Sequence, residues 1–387
     1  MSTATATELV PFSPPDIGGA EIAEVIATLE SGWLSTGPRV RRFEEAFAAY
    51  IGAPHAVALN SCTAGLHLSL LAAGVGPGDE VITTPLTFCA TANVIIHAGA
   101  TPVFADVDPS TGNLDPASVA QAITPRTRAI IPVHYGGRPV DVAAFQTLAR
   151  RHQLTIVEDA AHCIEGVAGG RKIGTTADFT CFSFYATKNL TTGEGGMVTT
   201  ASAAAAENIR VASLHGMSKD AWSRYQHLGA TRYDVVMPGF KYNMPDLQAA
   251  IGLHQLTALG EHLARRDATC RRYDEAFVNL PIGRFADLAA PDVHARHLYT
   301  ILVDQRTSGL SRDELAAAMA ECGVASSIHF PAVHLHRYYV ERFGFSRGQF
   351  PHAERIADTV LSLPLSPAHT DSQVEAVISA VKAAFRS

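Results

Sequence analysis

From Leu34 onward, the chain alternates short apolar runs with longer stretches in which apolar residues recur at helical spacing. Such short runs predict buried strands, and the periodic stretches predict helices. The predicted strands are 55–59, 80–84, 102–106, 128–133, 154–158, 179–184 and 197–200. The predicted helices between them include 39–50, 64–73, 88–97 and 140–150. This alternation is typical of an α/β fold in which helices cover one mostly parallel sheet, here of seven strands.

The pattern changes after residue 245. Apolar positions recur at helical spacing over 245–279, which predicts one or two helices leading away from the sheet. Farther along, the sequence predicts a strand at 298–303, an extended segment at 326–330 and a closing helix at 371–385. Ser311 and Glu314 form a capping box, which predicts that a helix begins after Ser311. We therefore expect a large domain over 1–255 and a smaller C-terminal α+β domain over 256–387.

The composition argues against a nucleic-acid or membrane partner. The chain has 387 residues, of which 47% are hydrophobic and 17% charged, and its formal net charge is −7. Nucleic-acid-binding proteins usually carry a basic face. The densest basic cluster here lies in a predicted helix, where we expect an ordinary solvated face: Arg265, Arg266, Arg271 and Arg272. No apolar run reaches the roughly 18 residues of a transmembrane helix.

The N-terminal segment predicts that the protein stays in the cytoplasm. Residues 1–15 are rich in Ser, Thr, Ala and Pro, and they lack the basic region and apolar core of a secretory signal. The six cysteines are scattered without a C-x-x-C pair, which suits neither a disulfide framework nor a zinc site. We expect them to be small core residues.

Lys188 and Asp159 have the chemistry of a pyridoxal phosphate site. That cofactor needs an amine to hold its aldehyde as a Schiff base and a carboxylate to keep its ring nitrogen protonated. Asp159 ends one apolar run, and Lys188 follows the predicted strand 180–184, ahead of a glycine-rich turn at 191–196 where backbone can approach a ligand closely. A buried salt bridge or a solvated surface lysine is the alternative. The strand and the glycine turn favour the cofactor site.

The segment 60–65 is a candidate site for the cofactor phosphate. It joins a predicted strand to a predicted helix, and the first N–H groups of a helix bind phosphate well. Thr63 can offer both its hydroxyl and its N–H, and Ser183 can add another hydroxyl. An ordinary Ser/Thr N-cap would also explain this sequence. Because ligands collect at the carboxyl ends of parallel strands, these groups should meet at one edge of the sheet.

Several stretches of the chain resemble the DegT-type, pyridoxal-phosphate-dependent nucleotide-sugar aminotransferases. They are 60–67, 87–88, 107–109, 132–136, 158–162, 182–196 and 239–243, and the similarity extends over nearly the whole chain. The resemblance implies the aspartate aminotransferase-like fold, fold type I. It also implies that Lys188 forms the Schiff base, Asp159 pairs with the pyridine nitrogen, Phe88 stacks on the ring, Thr63, Ala64 and Ser183 hold the phosphate, and Asn243 reaches the phosphate from the partner subunit. By residue type alone, Phe88 could instead be a core aromatic and Asn243 a helix N-cap.

Two histidines are further candidates. His162 could orient Asp159 or the 3-oxygen of the cofactor, or it could be a core histidine. The chain also resembles the branch of the family that makes UDP-4-amino-4-deoxy-L-arabinose, at 215–216, 239–243 and 327–330, which implies that His329 faces the sugar nucleotide. Packing or surface roles are the alternative for His329, His334 and His336. No metal-ligand spacing accompanies these histidines, so no metal site is expected.

The resemblance implies transamination, because a dehydratase branch of the family has histidine where this chain has Lys188. We expect transfer of an amino group from glutamate to the keto carbon, at C4, of a nucleotide-linked sugar, for amino-sugar, cell-surface glycan or glycosylated-metabolite biosynthesis. The resemblance also implies a homodimer with shared active sites. The alternatives are a non-catalytic, cofactor-binding regulatory protein and another fold type I enzyme. The intact pair of Asp159 and Lys188 favours catalysis.

Overall fold

The centre of the computed structural model, which describes residues 9–217 and 234–386, is a seven-stranded sheet. Its strands are β1 (His55–Leu59), β2 (Glu80–Thr83), β3 (Thr101–Phe104), β4 (Thr127–Ile131), β5 (Thr155–Asp159), β8 (Phe179–Ser183) and β9 (Gly196–Thr200). Their order is β1-β9-β8-β5-β4-β2-β3, and every pair is parallel except the two that β9 makes with β1 and β8. The predicted sheet is confirmed, and each predicted strand boundary lies within two residues of the observed one.

Helices cover this sheet and continue into the second half of the chain. They are α1 (Gly19–Glu30), α2 (Pro38–Ile51), α3 (Cys62–Ala72), α4 (Cys89–His97), α5 (Pro116–Ala122), α6 (Val142–His152), α7 (Ala203–Ser213), α8 (Asp246–Ala276), α9 (Gln305–Ser308), α10 (Arg312–Glu321), α11 (Arg337–Phe343), α12 (Pro351–Thr359) and α13 (Asp371–Ala384). The predicted helices are confirmed. The pattern over 245–279 forms one helix, α8.

Local residues explain where several helices begin and end. Ser61 has an extended backbone and caps α3, since its side chain accepts the Ala64 N–H. Ser311 and Glu314 form the predicted capping box at the start of α10. Gly52 follows α2 with a left-handed backbone, φ 83°, which ends the helix with little strain because glycine has no Cβ.

The second half of the chain has its own small core. Strand β10 (Tyr299–Leu302) pairs antiparallel with β11 (Val360–Leu363), and a short antiparallel pair, β6 (Val167–Ala168) and β7 (Arg171–Lys172), lies earlier in the chain. The predicted extended segment 326–330 joins β11 through a bridge between Ser327 and Ser362. Val10 is buried in this second core. Helix α8 runs unbroken through residue 255, and the division of the chain there stays a prediction.

The carboxyl ends of β1, β5 and β8 lie at the same edge of the sheet because these strands are parallel. Strand β1 leads into α3, β5 ends at Asp159 and β8 ends at Ser183. Gly196 pairs with both Leu59 and Ser183, and any side chain on Gly196 would collide with the backbone of Ser61. This glycine therefore lets β9 press against the start of α3, and it brings the candidate residues into one region.

Among the residues that the structure describes, no helix is long and apolar enough to cross a membrane, and no group of three or more metal-ligating side chains is present. All six cysteines are free. The core prediction is confirmed for four of them, whereas Cys89 is partly buried and Cys322 is exposed, so the prediction is wrong for Cys322. The first eight residues of the segment 1–15 lie outside the described residues.

Candidate active site

Two short hydrogen bonds and a weak thiol contact, from Cys62 Sγ to Oδ1 at 3.9 Å, hold the Asp159 carboxylate at the end of β5. Thr91 Oγ1 donates to Asp159 Oδ2 at 2.8 Å, and the Ala161 N–H donates to Oδ1 at 3.1 Å. Thr91 lies in the first turn of α4, and its hydroxyl is 2.8 Å from the hydroxyl of Thr87. Burial raises the pKa of Asp159, while these hydrogen bonds and the charge of Lys188 lower it. A protonated pyridine nitrogen beside this carboxylate would offset the effect of burial.

Lys188 lies in the turn after β8 with its side chain partly buried. Its Nζ is 3.5 Å from Nε2 of His297. Burial lowers the pKa of Lys188 to about 8, although Asp159 and the Cys62 thiol act to raise it. An amine with a lowered pKa is suited to act as a nucleophile and as a proton carrier near neutral pH. The structure thus places Lys188 and Asp159 close enough for each to affect the other's ionisation, as the sequence predicted.

The start of α3 provides donors for a phosphate. Ser61 Oγ accepts the Ala64 N–H at 3.1 Å, so the alternative interpretation of an ordinary N-cap is satisfied at Ser61. The first intrahelical bond here is from the Gly65 N–H to the Ser61 carbonyl. The N–H groups of Cys62 and Thr63 precede that bond and, with the Thr63 hydroxyl, are available to an anion. Ala64 is less suited to the predicted contact because its N–H is already donated to Ser61.

Ser183 stands beside this helix start, at the end of β8. It is partly buried, and its Oγ accepts the Tyr185 N–H at 3.4 Å, which leaves its O–H free to donate. The predicted phosphate contacts of Thr63, Ala64 and Ser183 stay predictions.

Phe88 is a large apolar side chain that is 60% exposed. It is the N-cap residue of α4, with an extended backbone, and lies three positions before Thr91. Its ring centroid is 6.2 Å from that of Phe330. The exposure contradicts the alternative of a core aromatic. An exposed aromatic at the start of the helix whose Thr91 supports Asp159 fits a flat, bound ring.

His162 is buried, and its Nδ1 has no hydrogen-bond partner among the described residues. Its ring is stacked near Phe330, with centroids 5.9 Å apart, and lies 4.2 Å from the ring of His297. Burial and the charge of Lys188 hold the pKa of His162 well below its usual value, so the ring is neutral. A buried polar atom without a partner is costly. An oxygen of a bound cofactor would satisfy it.

Asn243 lies against its own subunit. Its side-chain amide donates to Thr36 Oγ1 at 2.6 Å, and its backbone bridges Leu59 at the end of β1. Its Oδ1 is buried and lacks a hydrogen-bond partner within residues 9–217 and 234–386. The contact expected with the partner subunit's phosphate stays a prediction.

His329 is close enough to Lys188 for the lysine charge to affect its ionisation. Its Nδ1 is 2.8 Å from Ser362 Oγ, and its ring stacks on Phe12 with centroids 5.5 Å apart. Burial, and then the charge of Lys188, lower the pKa of His329 to about 4. The other two histidines of this region have packing and surface roles. His334 is buried against Glu354, and His336 is exposed.

Sequence reasoning missed several residues that support the site. Thr91 could have been found from its position one helical turn after Thr87. His297 gave no signal, because it lies in an aperiodic segment 109 positions from Lys188. Arg266 corrects the prediction of a solvated basic face. Arg266 is 2% exposed and forms an ion pair with buried Glu165. The sequence shows four arginines in one helix, but it does not show which of them is buried.

The residues present fit pyridoxal phosphate. The donor set combines an amine of lowered pKa, a buried carboxylate, an exposed aromatic ring and free helix N–H groups. The unpartnered His162 Nδ1 is a further polar atom that a ligand would satisfy.

Comparisons with known proteins identify the family. The model of the DegT/DnrJ/EryC1/StrS aminotransferase family matches residues 15–382. The chain is 52% identical over 375 residues to the spore coat polysaccharide biosynthesis protein SpsC of Bacillus subtilis, and the match covers 96% of each chain.

Solved structures agree with this assignment. Spr1654 from Streptococcus pneumoniae in its PMP form has a TM-score of 0.91 and 36% identity, covering 97% of this chain and 99% of that chain. Its PLP form has a TM-score of 0.90 and 34% identity, covering 98% and 99%. DesI, solved in the presence of its TDP-sugar product, has a TM-score of 0.87 and 35% identity, covering 100% and 95%.

These similarities confirm the resemblance, the fold type I architecture and the pyridoxal phosphate cofactor that the sequence predicted. They also confirm the class of enzyme, a pyridoxal-phosphate-dependent sugar aminotransferase. The chain belongs to the DegT/DnrJ/EryC1/StrS aminotransferase family.

Proposed function

We propose that this protein transfers the amino group of glutamate to the keto carbon, at C4, of a sugar linked to a nucleoside diphosphate. The observation that carries the proposal is the placement of Lys188 and Asp159 at one edge of the sheet, each acting on the ionisation of the other. A protein that only bound the cofactor would need neither an amine of lowered pKa nor a buried carboxylate beside it. This placement therefore favours the enzyme over a regulatory binding protein.

Each residue has a distinct task in the proposed reaction. Lys188 would hold the cofactor aldehyde between turnovers, and its released amine would take the proton from the donor Cα and deliver it to the cofactor carbon that had carried the aldehyde. Asp159 keeps the ring nitrogen protonated, with Thr91 and Ala161 fixing both of its oxygens. When bound, the cofactor supplies an electron sink for the substrate carbanion.

Other residues bind rather than react. The N–H groups at the start of α3, together with the hydroxyls of Thr63 and Ser183, are proposed to hold the phosphate. Phe88 is proposed to cover the ring, because its own face is exposed. His162 is proposed to contact the 3-oxygen of the cofactor through its unpartnered Nδ1.

The proposed sugar site includes His329. This histidine is near Lys188, and its backbone carbonyl accepts a hydrogen bond from the buried Tyr135 hydroxyl. A neutral imidazole held in this way can exchange hydrogen bonds with sugar hydroxyls. The TDP-sugar product of DesI and the polysaccharide role of SpsC support an amino-sugar product for cell-surface glycans or glycosylated metabolites. Glutamate and C4 rest on the resemblance in sequence.

We further propose a homodimer with shared sites. Ile22, Ile26 and Leu29 are all exposed at positions i, i+4 and i+7 of α1, which makes an apolar stripe of the kind that a second subunit covers. In such a dimer, the unpartnered Asn243 Oδ1 would accept a hydrogen bond from the partner subunit or from a water molecule in the shared site. The free cysteines suit a reducing compartment, and a cytoplasmic location is part of the proposal.

Two half-reactions test the proposal. The protein loaded with pyridoxamine phosphate should regain the absorbance of pyridoxal phosphate only with a suitable keto sugar, so a panel of UDP-, dTDP- and GDP-linked C3- and C4-keto sugars is used. The pyridoxal form should be converted by glutamate faster than by alanine or aspartate. Return of the absorbance with C3-keto sugars alone would overturn the C4 assignment, and no return with any of them would overturn the substrate class.

A further inference from the structure

A chain of polar side chains runs from Lys188 to a buried ion pair. Lys188 Nζ lies 3.5 Å from His297 Nε2, and His297 Nδ1 lies 2.9 Å from Asn189 Oδ1. The Asn189 amide then donates to Glu165 Oε2 at 2.8 Å. Glu165 pairs with Arg266 on α8, and both side chains are buried. These contacts connect the lysine turn to the long helix.

The hydrogen bonds fix the direction of the Asn189 amide. Asn189 Nδ2 donates to both Glu165 Oε2 and the Ala295 carbonyl, each at 2.8 Å. Both of these partners are acceptors, so the NH₂ group must face them and both of its hydrogens are used. The opposite orientation of the amide would place its oxygen against two acceptors. The atom that faces His297 is therefore the amide oxygen.

This direction determines the tautomer of His297. The Asn189 oxygen can only accept, so His297 Nδ1 carries the hydrogen. Burial, and then the charges of His162 and Lys188, hold the pKa of His297 well below its usual value, so the ring is neutral and has a single N–H. His297 Nε2 is consequently an unprotonated acceptor that faces the lysine amine.

The anchor of this chain is rigid. The Ala295 carbonyl also accepts a hydrogen bond from Arg266 Nη2 at 3.4 Å, and the Ala295 N–H donates to the Gly137 carbonyl at 2.8 Å. The segment that carries His297 is thereby tied to α8 and to the loop after β4. The distance of 3.5 Å from Nζ to Nε2 is at the outer limit of hydrogen bonding. A small rotation of the Lys188 side chain would shorten this distance and complete the hydrogen bond.

We propose that His297 is a positioning residue for Lys188, whose free amine donates a hydrogen bond to His297 Nε2 and is thereby held ready for proton transfer, with Asn189 fixing the histidine tautomer. This inference rests on the proposed role of Lys188 as the proton carrier. The interaction is a hydrogen bond only. The amine keeps its own hydrogens, and none of them is transferred to His297.

Other groups face Lys188 but do not offer the same acceptor. Asp159 is occupied by Thr91 and Ala161, and His329 Nδ1 is paired with Ser362. His162 packs on His297, and the Cys62 thiol is a weak partner whose pKa is raised by burial. Among the described residues, the hydrogen-bond contact of Lys188 Nζ is with His297.

The amine itself provides the test, since its ionisation can be read without a sugar. Full-length protein, both free of cofactor and loaded with pyridoxamine phosphate, is treated with trace acetic anhydride across a pH series. Mass spectrometry of the Lys188 peptide then gives the pKa of the amine. Wild-type protein without cofactor should give a value of about 8. Because an acceptor stabilises the ammonium form, His297→Phe should lower this pKa by about half to one unit.

Three variants separate positioning from a structural effect. His297→Gln keeps an acceptor near the position of Nε2 and should restore the wild-type pKa. Asn189→Ala frees the histidine tautomer and should give an intermediate pKa. His369→Phe removes another buried histidine, which contacts the Pro11 carbonyl, and should leave the pKa unchanged.

In the loaded enzyme, His297→Phe should lower kcat about tenfold with little change in KM, because the amine and not the sugar site is affected. A wild-type lysine pKa in both His297→Phe and Asn189→Ala would overturn the inference, and the second variant decides if the first does not fold. A predicted pKa shift with no keto sugar turned over would overturn the proposed function alone. An unshifted pKa in an active enzyme would overturn this inference alone.

Discussion

Replacing Thr91 with valine tests whether one buried hydroxyl keeps Asp159 ionised. Valine has nearly the shape of threonine and lacks the hydroxyl, so the variant removes the 2.8 Å hydrogen bond to Asp159 Oδ2. Thr91 is fully buried, which prevents bulk water from replacing the lost donor. The hydrogen bond from the Ala161 N–H to Oδ1 and the weak contact from Cys62 Sγ to the same oxygen stay in place.

The size of the effect follows from the charge on the acceptor. A hydrogen bond to a charged group contributes about 1.5–3 kcal/mol. At 1.36 kcal/mol per pKa unit, losing the Thr91 bond raises the pKa of Asp159 by about 1–2 units. The direction is upward because the hydrogen bond stabilises the ionised form. A carboxylate that ionises less readily protonates the ring nitrogen less well, so turnover should fall by about 10- to 100-fold.

Thr180→Val is the matched control. Thr180 is equally buried, and its hydroxyl donates at 2.6 Å to Glu158, the residue before Asp159. Both variants leave a buried carboxylate short of a donor, so each should lower the free energy of unfolding by about 1–3 kcal/mol in urea titrations. Steady-state kinetics should show the turnover loss in Thr91→Val alone. Equal losses in the two variants, or wild-type turnover in Thr91→Val, would refute the reasoning.

Three further predictions concern other parts of the site. The rate at which cofactor-free protein captures pyridoxal phosphate should rise with pH and level off above about 8, because capture needs the neutral amine of Lys188; stopped-flow absorbance measures this, and a flat profile contradicts it. Lys188→Ala and Asn243→Asp subunits, each impaired alone, should regain activity on co-refolding, up to about one competent site per mixed dimer; no recovery despite verified subunit exchange would rule out shared sites. His329→Ala should raise KM for the keto sugar and leave the glutamate half-reaction unchanged, and single-turnover kinetics that show the reverse would remove His329 from the sugar site.

The fold was largely predictable because its signals are local. Each strand of the sheet is a short apolar run, and helix ends such as Ser311 with Glu314 follow capping rules. The pair of Lys188 and Asp159 was predictable for a related reason, since both residues follow strands whose carboxyl ends meet at one edge. The rule that ligands bind at the carboxyl ends of parallel strands thus predicts that Asp159 and Lys188 lie close together.

The supporting residues depend on tertiary packing, which the sequence does not encode locally. His297 reaches Lys188 from an aperiodic segment. Arg266 has three arginine neighbours in the same helix, yet its side chain points into the core because it pairs there with buried Glu165. Phe88 was open to two interpretations by residue type, and only its exposure separates them. Contacts across long sequence separations determine the positions of His297 and Arg266.

The central claim is that Lys188 carries the cofactor, and borohydride trapping tests it most directly. The protein loaded with pyridoxal phosphate is reduced, digested and mapped by mass spectrometry. We predict that the reduced cofactor is found on the Lys188 peptide, is lost in Lys188→Ala, and is retained in Lys172→Ala, whose lysine packs on the Tyr50 ring. A reduced cofactor on a different lysine, or one that persists in Lys188→Ala, would contradict the account.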